Sequence, residues 1–134
     1  MASPDVSFVI ATRNRRDVLL SCLRACLVQR DISAEILVYD DASDEDMRPF
    51  LAEEFGERIR VTRLQQNLGL VAVRNLGYRE ACGRYIVSLD DDVLLFDPRC
   101  VARAVEMMDR EKDIAVAALR YYERPGTPCT SKYA

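Results

Sequence analysis

Three consecutive carboxylates, Asp90-Asp91-Asp92, follow directly on the apolar run Arg84 to Leu89 (RYIVSL). Like charges this close repel, and burial beside an apolar strand raises the cost of keeping them all ionised. A divalent cation relieves that cost. Mg2+ or Mn2+ prefers hard oxygen ligands, takes one or two carboxylates, and fills its shell with phosphate oxygens and water. Asp90 and Asp92, with one residue between them, have that pattern, because a turn at a strand end can aim both at one point. The competing reading is a helix-capping or solvated acidic turn, since acidic triplets are common on surfaces.

Three further polar clusters could act with it. Asp40-Asp41 ends the apolar run Glu35 to Tyr39 (EILVY). Such a pair can cap the next helix, or accept hydrogen bonds from a nucleobase N–H or a ribose hydroxyl, as strand-end acids do in dinucleotide-binding sheets. Asn67-x-Gly69 leads into Arg74-Asn75-x-Gly77. A guanidinium at Arg74 can donate to a base carbonyl or a phosphate, or simply pair with a surface acid. Gly69 and Gly77 suit a turn and close helix-to-sheet packing. Thr12-Arg-Asn-Arg-Arg-Asp17 follows the first apolar run.

The elements that must position these clusters are legible from periodicity. Val6 to Ala11 (VSFVIA) is a near-continuous apolar run, as in a strand covered on both faces. Val18, Leu19, Cys22, Leu23, Cys26 and Leu27 recur at helical spacing. Glu35 to Tyr39 is a second strand. Ser43, followed by Asp46, predicts a helix start, with the helix running to about Phe55 and stopping at Gly56. Arg58 to Leu64 is a short third strand, Leu70 to Ala81 a helix, and Arg84 to Leu89 a fourth strand. Asp97-Pro98 opens a helix with Val101, Ala104, Val105 and Met108 on one face. Asp113 to Leu119 (DIAVAAL) predicts a fifth strand, and Tyr121 to Ala134 a loop or tail. Strict β-α alternation of this kind predicts an α/β layer fold with a mostly parallel sheet. Parallel strands would bring all four polar clusters to one edge, beyond the carboxyl ends of the strands, where such folds bind ligands.

The bulk properties narrow the function classes. The chain has 134 residues, 49% hydrophobic and 31% charged, which suits one globular domain with its own core. With 19 basic and 22 acidic residues, the net charge of −3 offers no electrostatic case for a nucleic-acid partner. No apolar run approaches a bilayer span, and the start resembles no signal peptide, so a cytoplasmic location is expected, with other segments or partners bringing the chain to the inner face of a membrane. There is no histidine, so Ser-His-Asp and Cys-His arrangements are excluded. The five cysteines include no CxxC pair and read as reduced thiols, some in the core. Neither GxGxxG nor GxxxxGK[ST] occurs, so neither a dinucleotide fold of the usual kind nor a P-loop is supported.

Val6-SFVIATRNR, Ile36-LVYDDASDE, Asn67-LGLVAVRNLG and Tyr85-IVSLDDDVLLFDP, in this order and spacing, resemble the motifs of family-2-type glycosyltransferases. The resemblance covers roughly residues 6 to 119. It implies a GT-A fold, a Rossmann-like three-layer α/β/α arrangement, that binds a nucleoside-diphosphate sugar and usually Mg2+ or Mn2+. By position, Thr12 and Arg13 would line the nucleotide pocket with Asn14. Asp41 would contact the base with Asp40 beside it, and Asn67 and Arg74 would lie near the base or phosphates. Asp90 would lie near the ribose and sugar, with Asp91 next to it. The implied metal ligands are Asp92 first and Asp90 next. The sequence departs from the family at Ala11, where proline is frequent, at Arg13, where an aromatic is common, and at Ala42, where glycine is frequent. Arg13 can still stack through its planar guanidinium.

The resemblance divides the chain into a donor-binding unit over 1–120 and a tail over 121–134 that leads towards an acceptor-binding portion absent from this sequence. No residue matches the family's acidic general base. The implied reaction is metal-assisted, inverting sugar transfer to an acceptor hydroxyl in polysaccharide or glycoconjugate synthesis, with weak or no transfer by this portion alone. A UDP-sugar is the expected donor, since UDP is the commonest carrier in the family, with GDP and dTDP also used. The acceptor would be a glycan, a lipid-linked sugar or a protein. An apolar face where a further portion would pack predicts self-association. Two other readings compete: a nucleotide-binding module without turnover, and a nucleotidyltransferase, which would usually carry a Gly-rich loop after the first strand.

Overall fold

The computed structural model describes residues 2–120, together with the backbone of Tyr122–Arg124 and Thr127–Pro128. The elements run β1 (Val6–Thr12), α1 (Arg16–Leu27), β2 (Ala34–Asp40), α2 (Arg48–Phe55), a 3-10 turn (Gly56–Arg58), β3 (Arg60–Arg63), α3 (Leu70–Glu80), β4 (Tyr85–Asp90) and α4 (Cys100–Arg110). The four strands form one all-parallel sheet in the order β3-β2-β1-β4.

β1 is central and buried along its whole length, which is why its sequence is apolar without alternation. Its side chains divide between two cores. Phe8 and Ile10 face α1, α2 and α4, where they meet Leu19, Leu23, Leu51 and Val101. Val9 and Ala11 face α3 and pack with Leu37, Tyr39 and Val73. The helices on opposite faces follow from the strand order. The chain steps outward from β1 to β3, then returns across β1 to β4, and a crossover of constant hand must use the other face when the direction reverses. On the α3 face the helix lies close to the sheet. A methyl group at Gly77 would overlap Val9 Cγ1 and sit 3.0 Å from Tyr39 Cε2.

Three expectations need correction. Asp113 to Leu119 makes no strand: residues 113–119 are irregular, and Val116 is 84% exposed. The segment instead lines an apolar groove of about 610 Å³ with β4 and α4. Its apolar content reflects that groove rather than a ladder. Second, α2 begins at Arg48 rather than Ser43. Pro49 lies in the first turn, where its missing N–H costs nothing, and Ser43 is engaged elsewhere. Third, α4 begins at Cys100. Asp97 caps the preceding turn instead, accepting from Arg99 N at 2.9 Å. In the tail, Tyr122–Arg124 and Thr127–Pro128 pair antiparallel as β5 and β6; the remainder of 121–134 lies outside the described residues.

Cys22, Cys26, Cys82 and Cys100 are all free thiols. The neighbouring Cys22, and then burial, push the Cys26 thiol far above its ordinary range. Among the described residues no helix is long and apolar enough to cross a membrane.

Candidate functional site

Parallel register sets the geometry. Thr12 pairs with Asp40, and Ala11 pairs with Asp90, so the last residues of β1, β2 and β4 stand in one row. The direction of the strand order reverses between β1 and β4, and in open α/β sheets the crevice at such a reversal is where ligands bind. The loops after β1 and β4 are the ones that carry Thr12 to Arg15 and Asp90 to Asp92.

Strand alternation sorts the acidic triplet. Leu89 is buried, Asp90 points out, Asp91 points in, and Asp92 points out again. Asp91 was expected to bind substrate. Its side chain is instead almost wholly buried, accepting from the Thr12 hydroxyl at 2.8 Å and pairing with Arg15 Nη1 at 2.9 Å. Burial pushes the Asp91 carboxyl up, while Thr12 and Arg15 draw it back down. Asp91 therefore anchors the turn. Asp90 and Asp92 are left facing outward, with 58% and 51% of their side chains exposed. Each is held by a guanidinium, Asp90 by Arg74 and Asp92 by Arg15 at 2.9 Å. Arg74 is mostly buried, and among the described residues its Nε has no hydrogen-bond partner.

Asp41 builds the neighbouring wall. Its buried carboxylate accepts from Asn67 Nδ2 at 3.0 Å, Leu68 N at 2.7 Å and Gly69 N at 2.9 Å. One side chain thus ties the β3–α3 loop to the end of β2 and sets where α3, and with it Arg74, begins. Gly69 adopts φ 82°, a left-handed conformation that glycine reaches without steric cost. Asp40 is fully buried, accepting from Ser43 N at 2.9 Å and lying 3.5 Å from Arg63 Nη1. It holds the turn after β2 and presents no surface to a ligand. Ala42 keeps the left-handed backbone that the family's glycine would provide, at φ 56°.

Asn14 closes the gap between the β1 and β2 loops. Its N–H donates to Ser43 Oγ at 2.9 Å, and its side-chain oxygen accepts from Asp44 N at 2.8 Å. Asn14 also has positive φ, at 55°, which asparagine tolerates better than most residues. Arg13 is exposed on the same loop. The structure therefore gathers all the sequence-predicted residues along one edge, with Thr12, Asp40, Asp41 and Asp91 buried and the others at or near the surface.

Sequence reasoning missed Arg15, Ser43 and Arg63. Arg63 Nη2 donates to Ser43 O at 2.8 Å, bracing the same turn as Asp40. A signal for Arg15 existed: the polar loop after β1 holds three arginines opposite three carboxylates expected at the same edge.

The donor set fits a hard divalent cation of the kind that takes two carboxylates. Asp90 and Asp92 are exposed, and their present partners are side chains that can move. Among the described residues no group of three or more Asp, Glu, His or Cys side chains forms a complete cage.

The profile of Glycosyl transferase family 2 matches residues 7–134. Succinoglycan biosynthesis protein ExoO of Rhizobium meliloti (strain 1021) is 33% identical over 106 residues, which are 79% of this chain and 30% of ExoO. Mannosyltransferase PcManGT from Pyrobaculum calidifontis, solved in complex with GDP-Man and Mn2+, matches the fold with a TM-score of 0.75 at 22% identity, over 90% of this chain and 37% of that one. S. aureus TarS 1-349 in complex with UDP matches with a TM-score of 0.69 at 18% identity, over 90% of this chain and 40% of that one. The chain thus spans less than half the length of each of these proteins. The α/β fold with its parallel sheet is that of GT-A glycosyltransferases.

Proposed function

The chain belongs to glycosyl transferase family 2, and from that premise we propose that it is the donor-binding part of an enzyme that transfers sugar from a nucleoside-diphosphate sugar to an acceptor hydroxyl. The observation that carries the reading is the convergence of Thr12, Asp41, Arg74 and Asp90 to Asp92 on the β1/β4 switch point. Residues 1–120 form the donor-binding unit, and 121–134 lead towards the acceptor side. The apolar groove beside β4 and α4 is a surface for further parts of the fold.

Each residue has a place in this scheme. Asp41 fixes the 67–69 loop and, with one acceptor position still open, receives a base N–H. Arg13 lies across the base or ribose through its planar guanidinium. Arg74 and Arg15 supply positive charge beside the diphosphate. Asp91 and Thr12 keep the acidic turn rigid. Asp90 and Asp92 would hold a Mg2+ or Mn2+ ion, which when bound neutralises charge on the departing diphosphate. The acceptor hydroxyl attacks the anomeric carbon from the side opposite the diphosphate, giving inversion. Its proton goes to a base outside the residues assigned here.

The donor class is a UDP-sugar, supported by the UDP complex of TarS; PcManGT, with GDP-Man, makes GDP the rival carrier. The role of ExoO in succinoglycan biosynthesis supports polysaccharide synthesis, which would take place on the cytoplasmic side of a membrane. Calorimetric titration with UDP, GDP and dTDP, with and without Mn2+, tests the reading. The expected result is metal-dependent binding of one nucleotide, abolished in Asp92→Ala at unchanged melting temperature. A folded chain that binds none of the three in either condition would overturn it.

A further inference from the structure

Arg15 makes a contact that nucleotide recognition alone does not require. Its guanidinium spans two carboxylates, Nη1 to Asp91 Oδ1 and Nη2 to Asp92 Oδ2, both at 2.9 Å. The two acids differ in setting. Asp91 is 5% exposed and is held a second time by the Thr12 hydroxyl. Asp92 is 51% exposed, and among the described residues its side-chain hydrogen bond is to Arg15. The fork is thus anchored at one tine on a fixed, buried acid. Its other tine covers the outward acid that the donor reading gives to the metal. Arg15 itself is 47% exposed, on the loop leading into α1, so this second tine can leave without disturbing the core.

We propose that Arg15 is a resident counter-cation of the acidic turn. In the ligand-free chain it occupies Asp92, and it yields that carboxylate to a divalent cation as its guanidinium turns to the diphosphate. The inference rests on the donor-site reading and concerns the order in which that site fills. A cation arriving alone must compete with a charge already seated on Asp92. A diphosphate arriving with the cation gives the displaced guanidinium another planar, doubly accepting partner. Metal and diphosphate therefore favour each other at this site, and by linkage the effect is reciprocal. Free Mg2+ or Mn2+ is kept off the turn until a nucleotide is present. Asp91 meanwhile keeps the arginine close, so it does not need to be recruited from solvent.

The test is titration of the intact chain, wild type and Arg15→Gln, with Mn2+ alone and with UDP in the presence of Mn2+. Arg16→Gln controls for the loss of a nearby positive charge, because Arg16 pairs with Asp17 and Glu45 rather than with the acidic turn. R15Q is expected to bind Mn2+ alone about fivefold more tightly and UDP with Mn2+ about fivefold more weakly, each ~1 kcal/mol at 1.4 kcal/mol per tenfold. Opposite signs for the two ligands separate this from a folding defect, which would weaken both. Arg15→Lys, which keeps the charge but cannot fork, should fall between wild type and R15Q for Mn2+. Three results overturn the proposal: unchanged or weaker Mn2+ binding by R15Q, unchanged UDP binding by R15Q, or an equal change in R16Q. If wild type binds UDP with Mn2+ and one of these occurs, the donor reading stands and the proposal alone falls. If folded wild type binds UDP neither with nor without Mn2+, and GDP and dTDP likewise, both fall.

Discussion

Replacing Asp41 by asparagine should loosen the wall of the site before any ligand is added. The carboxylate accepts three hydrogen bonds, from Asn67 Nδ2, Leu68 N and Gly69 N. Asparagine is nearly the same shape but offers one acceptor oxygen, and its NH2 group would face a donor. Asn67 Nδ2 and Gly69 N share one carboxylate oxygen, so an amide oxygen there keeps those two contacts, now uncharged, and the Leu68 contact is lost. Hydrogen bonds to a charged group contribute about 1.5–3 kcal/mol each where buried. The contacts here are only partly buried, so about 3 kcal/mol in all is expected for the lost contact and the two that fall from charged to neutral strength. A domain of this size loses about 3–5 °C of melting temperature per kcal/mol, which puts the expected drop at about 10 °C. Urea unfolding should give the same loss with an unchanged slope. Amide exchange should quicken at Leu68 beyond any global change, because that N–H loses its acceptor. Asn67→Ala removes one donor and leaves both backbone contacts, so it should cost about 1 kcal/mol. An Asp41→Asn chain within about 0.5 kcal/mol of wild type, with exchange at Leu68 unaltered, would refute the view that this side chain holds the loop.

Three further outcomes follow from the same geometry. Gly77→Ala should destabilise by about 1–2 kcal/mol in urea unfolding, because overpacking against buried Val9 and Tyr39 exceeds the gain of about 1 kcal/mol in helix propensity. Ala42→Gly should stabilise by about 0.5–1 kcal/mol, since relief of the left-handed backbone is only partly offset by unfolded-state entropy; a lower melting temperature would refute it. Tyr39 donates to Glu80 at 2.8 Å, and burial, then Glu80, pushes its phenol up to about 12. Because the folded value is the raised one, its stabilising contribution is whole below pH 10, the ordinary tyrosine value, and is lost as pH rises towards 12. Asp109 also raises the Tyr85 phenol, so an ultraviolet titration should show more than one tyrosine ionising late, and Tyr39→Phe should abolish the component near 12.

The sequence alone determined the four strands of the sheet and the edge on which its polar clusters lie. Those features are written in local patterns. An apolar run the length of a strand, followed at once by carboxylates or amides, needs no knowledge of its neighbours, and parallel pairing carries every such ending to the same side. The family motifs are likewise contiguous stretches. Tertiary structure decided what each carboxylate does. Asp40, Asp41 and Asp90 to Asp92 are chemically alike in the chain, yet two lie buried as braces, one ties a loop, and two face outward. That sorting depends on partners far away in sequence, 77 residues between Arg15 and Asp92 and 28 between Asp41 and Gly69. The failure of the 113–119 strand has the same origin. A strand exists only where another offers it a ladder, and an apolar segment cannot state whether it will meet an open edge or a groove. Arg15 escaped notice because a single arginine carries no periodicity. Its meaning arises only when β1 and β4 lie side by side and bring its fork onto Asp91 and Asp92.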